Sequence, residues 1–185
     1  NLKIIFNNLN KHPWKGNNLF MGELISASNL PWYYIPIWIL ITTPLSFVLF
    51  FLAGIFKSFK NIINSKAREN LFYIFMLAGL FIPIVSVIIL KSNLYNGWRH
   101  LYFVYPFMAF FMTFGFQSIF KRLSLIFSYE YKKILLMLVF ITFTNPLYFI
   151  FHTHPNQQVF FNKLAGSHPL KNFEGDYSAI STFQA

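Results

Sequence analysis

The sequence has 185 residues, of which 56% are hydrophobic, 22% are aromatic and only 11% are charged. Soluble domains carry about 25% charged residues, so this composition excludes an ordinary soluble domain, and the many aromatic residues exclude a disordered chain. Cysteine is absent, which excludes disulfides, a thiolate zinc site and a cysteine nucleophile. The net charge of +10 in so apolar a chain indicates basic flanks of membrane segments rather than nucleic-acid binding.

The first segment, residues 1–33, has no apolar stretch long enough to cross a bilayer and is expected on the outer side of a membrane. The sequence begins with Asn1 rather than Met, and no secretion leader is visible near its start. We therefore expect the chain to be a piece of a longer protein.

Four apolar stretches follow between residues 34 and 151. A membrane helix needs about 20 apolar residues, and the stretches of this kind are Tyr34–Phe56, Asn70–Leu90, Leu101–Phe120 and Ile134–Phe151. They predict an all-α membrane protein of about four transmembrane helices joined by short loops. No acidic residue lies inside any of them, which argues against an ion-coupled transporter.

The distribution of Lys and Arg predicts the orientation. Loops 57–69 and 121–133 lie on one side and hold 8 basic residues in 26, whereas the other side holds 7 in 77. Cytoplasmic loops are enriched in Lys and Arg. Both ends of the chain and the loop 91–100 are therefore expected on the extracytoplasmic side of a bacterial inner membrane.

The loop before the third stretch carries the strongest candidate site. Asn96-Gly97 marks a tight turn, and Trp98, Arg99 and His100 follow it directly, with Tyr102 close behind. A guanidinium at headgroup depth suits bidentate binding of a phosphate. The alternative is an arginine that only anchors the helix end at the interface.

The C-terminal segment, residues 152–185, is also expected on the outer side. It contains a pair of acids, Glu174 and Asp176, two residues apart. On an extended strand, such residues share a face and could bind a sugar hydroxyl or a divalent ion. The alternative is a solvated turn around Gly175. No three-ligand metal motif is apparent.

Several stretches together resemble one family of membrane enzymes. They read LPWYYIP (30–36), TTPL (42–45), GWRHLYFVYP (97–106), HPNQQVFFN (154–162) and FEGDY (173–177). In order and spacing they resemble the later part of integral-membrane glycosyltransferases related to glycosyltransferase family 39. These are the protein-mannosyltransferase-like and aminoarabinose-transferase-like enzymes, which have the multi-span GT-C fold. The chain would then be a fragment of a larger GT-C-type bundle.

The resemblance implies transfer of a sugar from a polyprenyl-phosphate donor to a lipid, glycan or protein acceptor on the extracytoplasmic face. It implies that Arg99 grips the phosphate of the carrier lipid and that Trp98, His100, Tyr102 and Asp176 shape the same outer site. The family's catalytic acid lies upstream, and no residue of this chain matches it, so no catalytic residue is assigned. A divalent cation is used by some relatives, which leaves the cofactor open.

A second function, from a different class, stays open at this point. A non-catalytic membrane subunit that binds lipid or assists assembly would share the apolar stretches and the basic flanks. It would need no catalytic acid upstream. A response to Arg99→Lys distinguishes the two, because lysine presents a point charge in place of a bidentate fork.

Overall fold

The computed structural model describes residues 16–64, 67–126, 129–154 and 159–175, and most of these residues are helical. Two strands, β1 (Asn17–Phe20) and β2 (Glu23–Ser26), precede the helices. The helices are α1 (Tyr34–Thr42), α2 (Leu45–Asn64), α3 (Ala67–Ile89), α4 (Tyr105–Ile126), α5 (Tyr129–Thr153) and α6 (Pro169–Asn172). Short 3₁₀ segments lie at Ala27–Asn29, Arg99–Val104 and Lys163–Ala165.

The two strands form an antiparallel hairpin that the all-α expectation missed. Phe20 pairs with Glu23, so the connection is the two-residue turn Met21-Gly22, and both turn residues have positive φ, 54° and 86°. Such turns match the twist of a hairpin, but they usually carry Asn or Asp before the glycine. Methionine at this position gives no sequence signal.

The continuous helix expected over Tyr34–Phe56 is wrong, because the chain breaks at Thr43-Pro44. Thr43 is extended, with φ −103° and ψ 133°, as expected for a residue that precedes proline. Pro44 also has no N–H to continue the helical ladder. The helical path therefore ends after α1 and restarts as α2.

The carbonyls left open at the end of α1 are capped by a residue far away in sequence. The side-chain amide of Asn162 donates to Leu40 O at 2.6 Å and to Thr43 O at 2.7 Å, and its backbone N–H donates to Ile41 O at 2.8 Å. Asn162 is buried. The last carbonyls of a helix need partners from outside the helix, and here the C-terminal segment supplies them.

Among the described residues, three helical stretches are long and apolar enough to cross a membrane, namely Leu45–Asn64, Asn70–Ile89 and Arg99–Leu125. The second and third agree closely with the sequence-based stretches, and the first replaces Tyr34–Phe56. The predicted stretch Ile134–Phe151 lies inside α5, and its crossing of the membrane stays a prediction. The predicted basic loops are shorter than expected, because α2 and α4 extend through Lys57, Lys60, Lys121 and Arg122.

Helices α2 and α4 pack backbone against backbone. A Cβ atom built on Gly54 would collide with the carbonyl oxygen of Phe111, and one built on Gly115 would collide with that of Phe50. Small residues allow membrane helices to approach this closely.

The buried core lies mostly where the hairpin, α1 and the end of α3 meet the start of α4. We call this the hairpin end of the bundle. Its largest fully buried side chains are Trp38, Trp98, Tyr34, Phe20 and Phe111. Phe173 reaches the same core and forms a bridge with Phe20, so the C-terminal segment packs beside β1.

The helix crossing predicts a contrast between glycines. Gly54→Ala and Gly115→Ala should each destabilise the fold by about 1–3 kcal/mol, because overpacking against backbone cannot be relieved by a rotamer change. Gly79→Ala is the matched control, since its Cβ would meet only the ring of Phe107, which can turn aside. Thermal unfolding in detergent micelles measures all three, and equal effects at the three sites would contradict a backbone-to-backbone crossing.

The cap of α1 predicts a large effect at Asn162. Asn162→Ala leaves the Leu40 and Thr43 carbonyls without their side-chain donor, at a cost of about 2–3 kcal/mol. Asn172→Ala is the control, because Asn172 is exposed and contributes its backbone carbonyl to Gly22. Denaturant unfolding should separate the two variants, and an Asn162→Ala protein as stable as Asn172→Ala would refute the cap.

Candidate functional site: an arginine beside an apolar groove

The 3₁₀ segment Arg99–Val104 sorts its side chains into three faces, because residues three apart eclipse one another in such a helix. The buried face continues from the preceding residue and consists of Trp98, Leu101 and Val104. The second face runs into α4 and consists of Arg99, Tyr102 and Tyr105. The third face carries His100 and Phe103, which are exposed.

Trp98 belongs to the core rather than to the surface of a pocket, since only 1% of it is exposed. Its indole N–H donates to Thr42 Oγ1 at 3.1 Å, and the Thr42 hydroxyl donates to Trp38 O. The ring of Trp98 lies 5.3 Å from that of Tyr102 and 4.8 Å from that of Tyr105. Trp98 therefore packs against Tyr102 and Tyr105 from the side of the buried core.

Arg99 is half-buried and stacks over an aromatic ring. Its Cζ lies 4.6 Å from the ring centroid of Tyr95, a cation–π distance. The imidazole of His100 lies at the same distance, 4.6 Å, from the same ring. Tyr95 thus brings together two of the predicted site residues.

The loop that presents Arg99, residues 94–98, contains two consecutive left-handed residues. Asn96 has φ 52° and Gly97 has φ 68°, which agrees with the tight turn expected from Asn-Gly. Asn tolerates this conformation better than most residues with a Cβ. The turn reverses the chain after α3 and starts the 3₁₀ segment with Arg99 at its first position.

Glu174 lies at the hairpin end of the bundle, next to β1, and not in a solvated turn. Leu19 N donates to its Oε1 at 3.2 Å, and its Oε2 is buried without a hydrogen bond among the described residues. Burial raises the pKa of the Glu174 carboxyl, while the backbone N–H groups of Leu19 and Asn96 lower it in part. Asp176, predicted as a site residue, lies outside the described residues.

An apolar groove begins next to Tyr105. One cavity of about 460 Å³ lies at its mouth, between the end of α1 and the start of α4, and includes Thr42, Pro44 and Tyr105 in its lining. A second cavity of about 370 Å³ continues between α2, α4 and α5. The two share Phe47, Ala109 and Met112. Tyr105 therefore connects the face that carries Arg99 and Tyr102 to the apolar groove.

The lining of the groove could not be read from the sequence, because it comes from α2, α4 and α5 and from the break after α1. Glu174 was weighed as a member of an acidic pair, but its contact with β1 gave no signal, because the hairpin was not predicted. Among the described residues, no cluster of three or more His, Asp or Glu is arranged to hold a metal ion.

Comparisons with known proteins leave the chain without an assigned relative. No protein-family model, no curated protein and no solved structure matches it.

The raised pKa of Glu174 predicts a pH-dependent stability. The folded chain binds this proton more tightly than the unfolded chain, so the stabilisation is complete below the unfolded pKa of about 4.3 and is lost as pH rises through the folded value. Glu174→Gln should therefore gain stability over the wild type as pH rises from 4 towards 7. Tm measured across this range in detergent checks it.

Exposed Glu23 on the same hairpin provides the matched control for this pH series. Glu23→Gln removes the same charge from a solvated position, so it reports the general effect of losing one carboxylate from the hairpin end. A Glu174→Gln difference in Tm that follows the Glu23→Gln difference at every pH would contradict the effect of burial on Glu174.

Proposed function

We propose that this chain is the carrier-binding part of an integral-membrane glycosyltransferase. In this proposal, the sugar donor is linked to a polyprenyl phosphate, and the acceptor is a lipid, glycan or protein on the extracytoplasmic face. The hairpin end faces outward, the denser Lys and Arg side faces the cytoplasm, and the membrane is a bacterial inner membrane. The resemblance of the sequence to GT-C enzymes related to family 39 motivates the choice of reaction.

One observation supports the proposal most strongly: Arg99 shares a face of the 3₁₀ segment with Tyr105, which lines the mouth of the apolar groove. A polyprenyl phosphate has a small anionic head and a long apolar tail. The guanidinium offers a planar fork of donors for the head, the rings of Tyr102 and Tyr105 lie 5.2 Å apart along the same face, and the groove beside Tyr105 suits the first part of the tail.

The same geometry suggests how Arg99 would contribute to transfer. As the bond from the sugar to the phosphate breaks, negative charge grows on the leaving phosphate. A guanidinium already held over Tyr95 would stabilise that charge in the transition state more than in the ground state. The group that removes the proton from the acceptor hydroxyl is not assigned to this chain and is expected upstream of Asn1.

The proposal predicts that Arg99 substitutions weaken binding of polyprenyl phosphate. Losing charge-assisted hydrogen bonds should cost roughly tenfold to hundredfold in Kd for Arg99→Ala, and less for Arg99→Lys, which keeps the charge but not the fork. Lys91→Ala is the control, because Lys91 is an exposed cation in the segment between α3 and the 94–98 loop. Titration of labelled polyprenyl phosphate into nanodiscs measures the affinities, with the phosphate-free polyprenol as the control ligand.

Two further variants test the groove. Ala109→Trp should fill the space shared by both cavities and weaken binding of both lipids, whereas Ile82→Trp, on an exposed part of α3, should not. Unchanged affinity in Arg99→Lys and Arg99→Ala would reject the phosphate grip. Polyprenyl phosphate binding without sugar transfer by the product of the complete coding sequence would favour the non-catalytic lipid-binding or assembly subunit instead.

A further inference from the structure

The loop that presents Arg99 is fastened by side chains from segments remote in sequence. Asn18, on β1, is fully buried, and its side-chain amide donates to Leu94 O at 2.9 Å. At the other end of the loop, Trp98 donates to Thr42 on α1. Between these anchors lie Asn96 and Gly97, the two residues with left-handed backbone.

Glu174 occupies the position between β1 and the middle of this loop. Its backbone N–H donates to Leu19 O at 3.3 Å, and its Oε1 accepts from Leu19 N at 3.2 Å. The same carboxylate faces the backbone N–H of Asn96. One side chain thus connects the hairpin to the residue three positions before Arg99.

Tyr34 completes this arrangement from the side of α1. It is fully buried, its hydroxyl has no hydrogen bond among the described residues, and it lies within electrostatic range of the Glu174 carboxyl. A carboxylate placed among buried groups costs free energy. An apolar side chain would avoid that cost but would leave Leu19 N without the side-chain acceptor that Glu174 provides.

We propose that Glu174 is a positioning residue for Arg99, acting through the 94–98 loop. The carboxylate holds the Asn96-Gly97 turn against β1 and so fixes the first position of the 3₁₀ segment. The guanidinium is then pre-organised over Tyr95 and needs little reordering when an anion binds, which improves affinity without a direct contact. This inference rests on the proposed role of Arg99 in binding the phosphate of a carrier lipid.

Hydrogen–deuterium exchange tests the link between Glu174 and the loop without any ligand. Glu174→Ala should speed exchange of the amides of residues 94–98 by roughly tenfold, as expected for loss of a buried hydrogen-bonded support. Glu174→Gln keeps an oxygen acceptor for Leu19 N and should restore slow exchange. Glu23→Ala, the same substitution on the exposed strand, should leave the loop unchanged.

Glu174→Asp is a second variant for the same experiment, which keeps the test decisive if the Glu174→Ala protein fails to fold. It keeps the charge but shortens the side chain by one methylene, so it should reach β1 and the loop less well and also speed exchange. Exchange at residues 94–98 that is the same in wild type, Glu174→Ala and Glu174→Asp would overturn the inference.

A double-mutant cycle tests whether Glu174 acts through Arg99. In the wild-type background, Glu174→Ala should weaken binding of labelled polyprenyl phosphate by about tenfold, whereas in the Arg99→Ala background it should have no further effect. Equal losses in both backgrounds would mean a general structural role and would overturn the inference. Wild-type protein that binds no polyprenyl phosphate would instead refute the proposed function, while the exchange result would still report on the loop.

Discussion

The capping of α1 by Asn162 is the interaction on which the hairpin end depends. Proline at position 44 ends α1, and Thr43 before it is buried, so the open carbonyls at this end need partners from the protein. Asn162 satisfies Leu40, Ile41 and Thr43 together and thereby pins the C-terminal segment to α1. That attachment brings Phe173 to Phe20 and Glu174 to Leu19. Without it, the acid would have no fixed place beneath the 94–98 loop.

The same short region also receives Trp98. Thr42, one residue before the break, accepts the indole N–H of Trp98 and lines the mouth of the groove beside Pro44 and Tyr105. If the helix continued through Pro44, α1 and α2 would form one straight helix. The break instead allows α1 to pack across the hairpin end and α2 to begin its own path against α4, at the crossing of Gly54 and Gly115.

The parts that the sequence could predict are those set by local, repetitive physics. Uninterrupted apolar runs located α3 and α4 to within a few residues, and Asn96-Gly97 correctly marked the turn before Arg99. The hairpin was missed because its turn residue Met21 lacks the usual preference for positive φ. The helix break was missed because proline is tolerated inside membrane helices, and two other prolines, Pro83 and Pro146, do lie inside helices here. Only tertiary contacts reveal that Asn162 caps the carbonyls that the break before Pro44 leaves open.

The role of Glu174 could not be predicted for a related reason. Its surroundings come from β1, α1 and the 94–98 loop, and its contact with Leu19 spans 155 residues of sequence separation. From sequence, an acid beside glycine indicates a solvated turn. In the fold, the Glu174 carboxyl lies close to the backbone of Asn96, in the loop that presents Arg99. Arginine loses side-chain entropy when it grips an anion, so a rigid loop and a stacking ring lower the cost of binding. A half-buried acid in this position makes sense as a means of holding the loop, since its carboxylate accepts from Leu19 N and lines neither cavity of the groove.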